Sequence, residues 1–459
     1  MYLIIGYGIT GQEAVTFCKS QGISYVIFDD KAVDGQENIY NDVNAIPWES
    51  IYRAIISPGV PTWSTLPPVV ILCRQKAIPI FSDLDILFHH NGHKKFIGIT
   101  GSQGKTTIHD AMYKLMVQWG RKPAMGGNNG IGCLSLQGEE YLLEVSMQQL
   151  LVSQSIVFNT AIFNNFFDTH QEVGDFNFRL QAKRKILTRM GSCHQIFIVG
   201  DFPRGHIHCL GSAIKPQDII VYSYNFHRWE HVTATNYVFV DYDEIKKIHR
   251  IIYNIGHQKG DFLLDSQWAF QLMAEENLGI LWAFVVTHGN HNSVIDDGVQ
   301  QEFIKILTHY EPVDHRCTLC HQKNQWKFFN GSKCTNGFAF QCIVKKIIHN
   351  YSGKNYWILG GILNSPVENF MMASLKQDNF YIMGQDGPII YEHIKDYYPH
   401  CILLDNLSQV MVKIHEDLTK EGDGATNIIL APGCQSLDQF KNFEQRGNYF
   451  VEIIKNMYN

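Results

Sequence analysis

At 459 residues the chain has room for about three compact domains, and 45% apolar residues with only 18% charged exclude disorder as a description of the whole. The 38 basic and 44 acidic side chains give a net charge of −6 with no block of like charges, which argues against duplex nucleic acid as a partner. Eleven cysteines, an odd number scattered from Cys18 to Cys434, argue for reduced thiols and against a disulfide framework.

The opening run MYLIIGYG is strand-sized, has no basic leader and ends in glycines, so it does not read as a signal peptide. Apolar runs such as Ile280 to Val286 fall far below the roughly 18 residues of a bilayer span, so a cytoplasmic protein with no membrane contact is expected. Over the first 90 residues, Tyr2 to Ile5, Tyr25 to Phe28 and Ala54 to Ser57 alternate with polar stretches of helical length, the pattern of βαβ units around a parallel sheet. The sequence KKFIGIT then starts a second such unit, running into a glycine loop and the helix-periodic IHDAMYKLMVQW. Beyond the polar loop THGNHNSVIDDG, a helix over Val299 to Leu307 leads to EPVDHR and to strand-like pieces in NYWILGG, NFYIMG and NIILAPG. These shifts put domain joints near 90 and 311.

Two glycine loops carry the chemistry. Gly6-Tyr-Gly8-Ile-Thr-Gly11 follows the strand YLII, and Asp29 closes the next strand, as in a Rossmann fingerprint whose glycines let backbone N–H groups approach a phosphate. A tight strand-to-helix turn that binds nothing gives the same pattern. The second loop, Thr100-Gly101-Ser102-Gln103-Gly104-Lys105-Thr106-Thr107, combines phosphate-wrapping amides, a lysine charge and a hydroxyl suited to Mg²⁺. Its spacing is the shorter TGSxGK[ST] form, since a strict Walker loop needs glycine where Ile99 stands. ATP is the expected ligand. One nucleotide handle and one phosphoryl donor in successive domains point to a ligase or a kinase.

Five further segments occur in order: GGN at 126 to 128, LLEVSMQQL, QAKRKI, FFNGSKCTN, and NIILAPGCQSLDQFKNFEQRG at 427 to 447. On these the chain resembles the Mur ligases of peptidoglycan synthesis, and within them the branch that adds D-glutamate. The resemblance implies an α/β protein of three domains: a Rossmann-like UDP-binding domain at 1–90, a central P-loop ATPase domain with a mostly parallel sheet at 91–310, and a Rossmann-like amino-acid-binding domain at 311–459. It implies ATP-driven amide formation between UDP-N-acetylmuramoyl-L-alanine and D-glutamate through an acyl phosphate, by a monomer acting on small molecules with ATP and Mg²⁺.

The resemblance also implies roles for residues. Lys105 holds the transferring phosphoryl group, Thr106 and Glu144 a first Mg²⁺, and Lys183, once carbamylated, a second with His170. Gly101, Ser102, Gln103, Gly104 and Thr107 complete the ATP loop, and Asn277, His315 and Arg316 fall near the adenine end. Ile9, Thr10, Asp29, Lys31 and Gly59 fall at uridine and diphosphate positions, Asn128 and Ser146 nearer the muramoyl group. Thr335, Ser436, Leu437 and Phe443 fit the D-glutamate site. By residue type alone, Glu144 reads equally as a solvent-facing carboxylate at a strand end, Lys183 as one of three basic residues on an exposed helix, and Phe443 as core.

The pattern also breaks. Gly331 stands where the family has aspartate, and Ile362 and Asn364 where it has aspartate and a lysine that meets a D-glutamate carboxylate; Lys333 and Lys441 are the candidates to replace that charge. The family's Asp-His pair reads Asp168-Thr169-His170, with the histidine displaced by one residue. These losses leave open a degenerate homologue that binds nucleotide or UDP-sugar without ligation, or a ligase for another amino acid. A nicotinamide-dependent dehydrogenase follows only from the first glycine loop and Asp29 and leaves the second loop without a role. Zinc at Cys317, Cys320, His321, Cys334 and Cys342, or a metal at His288 and His291, fits no standard spacing.

Overall fold

The computed structural model describes residues 1–31, 38–62, 66–166, 173–199, 217–223, 235–243, 246–256, 258–265, 275–289, 295–422 and 424–458. It divides into two compact units, one of residues 1–242, 249–263 and 275–306, the other of 243–248, 264–274 and 307–459.

The first unit holds two sheets. Strands β1 (Tyr2–Ile5), β2 (Tyr25–Phe28), β3 (Ile39–Tyr40), β4 (Arg53–Ile56) and β5 (Ile80–Phe81) form a parallel sheet in the order 3-2-1-4-5. Its strands are continuous apolar runs because both faces are covered. Leu3, Ile5, Val26 and Ile56 pack into one core, and Tyr2, Ile4, Ile27 and Ile55 into another. The strand expected over Ala54 to Ser57 begins and ends one residue earlier. Ser57 instead sends its hydroxyl to the Gly6 carbonyl at 2.9 Å, bracing the first glycine loop.

The second sheet has nine strands: β6 (Lys95–Thr100), β7 (Pro123–Gly127), β8 (Glu140–Glu144), β9 (Phe158–Phe163), β10 (Met190–Val199), β11 (Ile219–Ser223), β12 (Asn236–Asp243), β13 (Ile248–Ile255) and β14 (Gln258–Asp265). Their order is 14-13-12-11-10-9-6-8-7, and the pairs from β7 through β12 are parallel. Strand β6 thus lies between β8 and β9, so the loop leaving its C-terminal end opens into a crevice at a topological switch point, where α/β sheets bind ligands. The buried Asp85 joins the two sheets of this unit: it caps its own helix (Asp83–Asn91) through Ser82 and accepts the backbone N–H groups of Gln154, Ser155 and Ile156 at 2.8–3.1 Å.

The second unit contains β15 (Thr318–Lys323), β16 (Trp326–Asn330), β17 (Lys354–Gly360), β18 (Asn379–Met383), β19 (Cys401–Leu403) and β20 (Thr426–Leu430), in the order 15-16-20-17-18-19. All neighbours are parallel except the β15–β16 hairpin. The expected strands in NYWILGG, NFYIMG and NIILAPG are β17, β18 and β20, and the helix expected over Val299 to Leu307 runs Asp297–Thr308.

The segment THGNHN departs from the loop expected of it. Thr287 and His288 complete the buried helix Glu275–His288, because His288 stacks on Phe284 and meets Thr160 Oγ1 at 3.0 Å. Burial, with Arg121 and Lys95 nearby, lowers this imidazole to about 3; His291 lies outside the described residues. Cys320 sits in β15 with its thiol directed at the Phe328 carbonyl. Among the described residues no three His, Cys, Asp or Glu side chains are grouped to hold a metal, and no helix is long and apolar enough to cross a membrane.

Candidate active site

Gly101 and Gly104 make the second glycine loop possible. Both have positive φ, +155° and +73°, and Gly104 caps the helix Lys105–Gln118 in the left-handed region. A Cβ on Gly104 would stand 2.6 Å from Asn164 Nδ2 and 2.7 Å from Asn277 Oδ1. Asn277 therefore lies at the glycine loop itself, where Asn164 Nδ2 donates to its Oδ1 at 2.9 Å and to the Gln103 carbonyl at 2.8 Å. The N–H groups of Ser102 and Gln103 both point to Asn165 Oδ1, at 3.1 and 2.8 Å. Lys105 folds its ammonium back over the loop onto the Gly101 and Ser102 carbonyls, and Thr107 is buried behind it.

Around this loop the structure gathers the expected side chains. Thr106 Oγ1 donates to Glu144 Oε2 at 2.6 Å, and Asn128 Nδ2 approaches Glu144 Oε1 at 3.4 Å. Glu144 is 3% exposed, so it is no solvent-facing strand end; the β6–β8 register sets it opposite Ile99, one residue before the loop begins. Lys183 likewise contradicts the exposed-helix reading. It is 5% exposed, donates to Ser102 Oγ at 3.0 Å, and lies over the Phe166 ring. Burial first, then the charges of Lys105 and Arg179, hold its ammonium well below the ordinary lysine range. His170 lies outside the described residues.

Ser146 has a structural task. Its hydroxyl and backbone close a capping box with Gln149 on the helix Met147–Val152, and Gln149 Nε2 reaches on to the buried Asp83 at 2.9 Å. At the first glycine loop, Asp29 accepts the N–H groups of Tyr7 at 2.7 Å and Lys31 at 2.9 Å. Gly11 is required there, since a Cβ would stand 2.0 Å from the Gly6 carbonyl oxygen. Ile9, Lys31 and Gly59 are exposed beside it and Thr10 half-buried.

In the second unit, His315 (φ +64°) meets Asn330 Nδ2 at 3.0 Å, next to Arg316. Its ring lies edge-on to Phe443, which starts the helix Phe443–Tyr458 but, unlike Phe450 and Ile454 of that helix, is part of neither core of this unit. Lys333 holds its ammonium 3.7 Å above the Phe443 ring, whereas Lys441 is exposed. Thr335 is half-buried, Leu437 is 61% exposed and Ser436 only 3%. Gly331 is packed tightly: a Cβ would meet the Leu430 carbonyl at 2.6 Å. Asn364 Oδ1 is buried without a hydrogen-bond partner. Arg446 is 1% exposed and binds Ser332 and the Cys434 carbonyl. Asn164, Asn165 and Arg446 escaped the sequence reading, although Arg446 sits inside the DQFKNFEQRG signature that drew attention to the segment.

A parallel sheet with a TGSxGK[ST] loop at its switch point, a hydroxyl on a buried carboxylate and a buried lysine is the arrangement of the α/β phosphate-loop class of proteins. Residues 99–254 match the family described as the Mur ligase middle domain. The chain is 27% identical over 478 residues to the UDP-N-acetylmuramoylalanine--D-glutamate ligase of Rickettsia prowazekii, covering 98% of this chain and 97% of that protein. It is 26% identical over 471 residues to the ligase of the same name from Haemophilus influenzae, covering 98% and 97%. Among solved structures, MurF from Acinetobacter baumannii superposes with a TM-score of 0.60 at 11% identity, over 98% of this chain and 90% of that one. The UDP-N-acetylmuramate-alanine ligase MurC from Thermotoga maritima gives 0.58 at 13% identity, over 99% of each chain. Residues 99–254 thus carry a Mur ligase middle domain, and the chain is similar to Mur ligases along nearly its whole length.

Proposed function

We propose that this chain joins D-glutamate to UDP-N-acetylmuramoyl-L-alanine at the expense of ATP, as a cytoplasmic monomer in peptidoglycan precursor synthesis. The observation that carries the reading is the convergence of Lys105, the Thr106–Glu144 pair and Lys183 on one glycine loop. The names and near-complete coverage of the relatives support the choice of substrates. Labour is divided among three domains, 1–90 for the UDP moiety through Asp29 and its loop, 91–310 for ATP, and 311–459 for the amino acid.

The reaction needs charge stabilisation more than covalent help. A substrate carboxylate oxygen attacks the γ-phosphorus and ADP leaves; the D-glutamate amine then attacks the acyl carbon, phosphate leaves and the nitrogen loses a proton. Lys105 neutralises the moving phosphoryl group, and the loop amides and helix start hold the phosphates in line. Magnesium ions, held by Thr106 and Glu144 and by carbamylated Lys183 with His170, would add positive charge at the phosphoryl oxygens. The donor set fits them, since the Thr106 hydroxyl already meets a buried carboxylate. A buried amine beside Lys105 and Arg179 gains from becoming an anionic carbamate by adding CO₂ and losing a proton.

A coupled phosphate assay with UDP-N-acetylmuramoyl-L-alanine, ATP and each of several D-amino acids tests this. Release that requires all three components and is greatest with D-glutamate is expected; no release with any acceptor contradicts it. One observation favours a second reading. Backbone packing closes position 331 to any side chain, so the aspartate lost there has no room to be restored by rearrangement. A non-ligating homologue would bind nucleotide in this assay without turnover.

A further inference from the structure

We propose that Arg446 is the fixed cation facing the side-chain carboxylate of the incoming amino acid, acting through the one-residue-thick backbone wall formed by Gly361 and Gln435. The proposal rests on the ligase reading above and names the residue that supplies charge where Asn364 cannot.

Arg446 is 1% exposed, yet everything it binds is neutral. Nε donates to Ser332 Oγ at 3.0 Å, and Nη2 to the carbonyls of Ser332 at 2.9 Å and Cys434 at 3.1 Å. Nη1 is buried with no hydrogen-bond partner. Asp438, the acid whose charge reaches it, directs Oδ2 to the Gln385 N–H instead. A buried guanidinium held only by dipoles is costly, and a fold retains one where a ligand completes the balance.

The unbonded nitrogen faces the backbone turn at Gly361. A Cβ on Gly361 would stand 3.3 Å from Nη1 and 2.1 Å from the Gln435 carbonyl oxygen, so glycine at φ +132° lets this turn close directly over the guanidinium. The same two strands of chain continue as the Ile362–Gln435 bridge and as Ser436, one of the residues expected at the D-glutamate site. Three residues past the turn, Asn364 presents a buried Oδ1 with no partner, an atom that repels a carboxylate and asks for a donor. Lys441 is exposed, and Lys333 is committed to the face of Phe443. A charge in the low-dielectric interior acts strongly across one backbone layer, so Arg446 positions the acceptor without touching it.

The test is acceptor discrimination. The kcat/KM for D-glutamate and for its uncharged isostere D-glutamine are measured by phosphate release for the wild-type chain, R446M, R446K and the double variant R446M/N364K. We expect the D-glutamate preference to fall by about tenfold or more in R446M through KM for the amino acid, with KM for ATP unchanged. R446K should keep most of the preference, and the lysine of the double variant should restore it. R446Q, which keeps hydrogen bonding but not charge, serves where R446M does not fold. A neutral variant that keeps the wild-type preference overturns the assignment alone. A wild-type chain that releases phosphate with neither amino acid overturns the ligase reading and this assignment together.

Discussion

Glu144 is a carboxylate the fold has removed from water and paired with the Thr106 hydroxyl at 2.6 Å. If the pair holds a metal ion, E144Q keeps the shape and one hydrogen bond but loses the charge. Phosphate release should drop on the order of 10²-fold, with a higher Mg²⁺ requirement; an unchanged Mg²⁺ dependence would remove Glu144 from the metal site. Asp83 is buried too, and here burial wins over the Gln149 and Leu84 hydrogen bonds, lifting its carboxyl to about 6. A folded pKa above the unfolded one makes the group's stabilising contribution complete below pH about 4, and it is lost as pH rises through about 6. Above that the ionised form costs at most about 3 kcal/mol. D83N should therefore gain in thermal midpoint over the wild type at pH 7.5 and not at pH 4.5; an equal difference at both values would contradict the burial argument. What the sequence displayed at this scale was chemistry, not environment. LLEVS and QAKRKI give no sign that Glu144 and Lys183 are buried, because burial comes from β8 lying beside β6 and from the helix Phe176–Thr188 turning its lysine inward. Asn164, Asn165 and Arg446 stayed invisible because an asparagine reads as a turn residue and an arginine as surface until its partners are known.

Elements follow the same logic one level up. The strands YLII, YVIF and NIILAPG were legible because a parallel sheet buried on both faces demands uninterrupted apolar runs, and the glycine loops because their backbone geometry excludes other residues. Gly104 is the sharpest case. With φ +73° and carboxamide atoms at 2.6 and 2.7 Å from any added Cβ, G104A must push aside Asn164 and Asn277 and strain the start of the helix. ATP affinity should weaken by about tenfold or more while far-UV circular dichroism is unchanged, because the helix Lys105–Gln118 is buried along its length on Ile108, Met112 and Leu115. Retained ATP affinity would show that the loop does not bind nucleotide. Less legible were β10 to β14, which extend the second sheet on one side; β13 and β14 alternate more buried with more exposed residues and lack the apolar runs that announce the others. The last turn of the helix Glu275–His288 was misread because THGN is polar in composition, while His288 is anchored by Thr160 and aromatic stacking that no local pattern records.

At the scale of the molecule, a separate sheet for each of three ligands makes sense if a nucleotide-linked acid, ATP and an amino acid must all be bound. The central event of the proposed reaction is transfer of the γ-phosphoryl group to the acid's own oxygen under the charges of Lys105 and the groups around it. Oxygen-18 in the alanyl carboxylate of UDP-N-acetylmuramoyl-L-alanine follows that oxygen directly. With ATP and D-glutamate present, the released phosphate should carry one labelled oxygen per molecule of amide formed, and K105A should release none. Amide formation accompanied by unlabelled phosphate would contradict the acyl-phosphate route, and with it the role assigned to the loop.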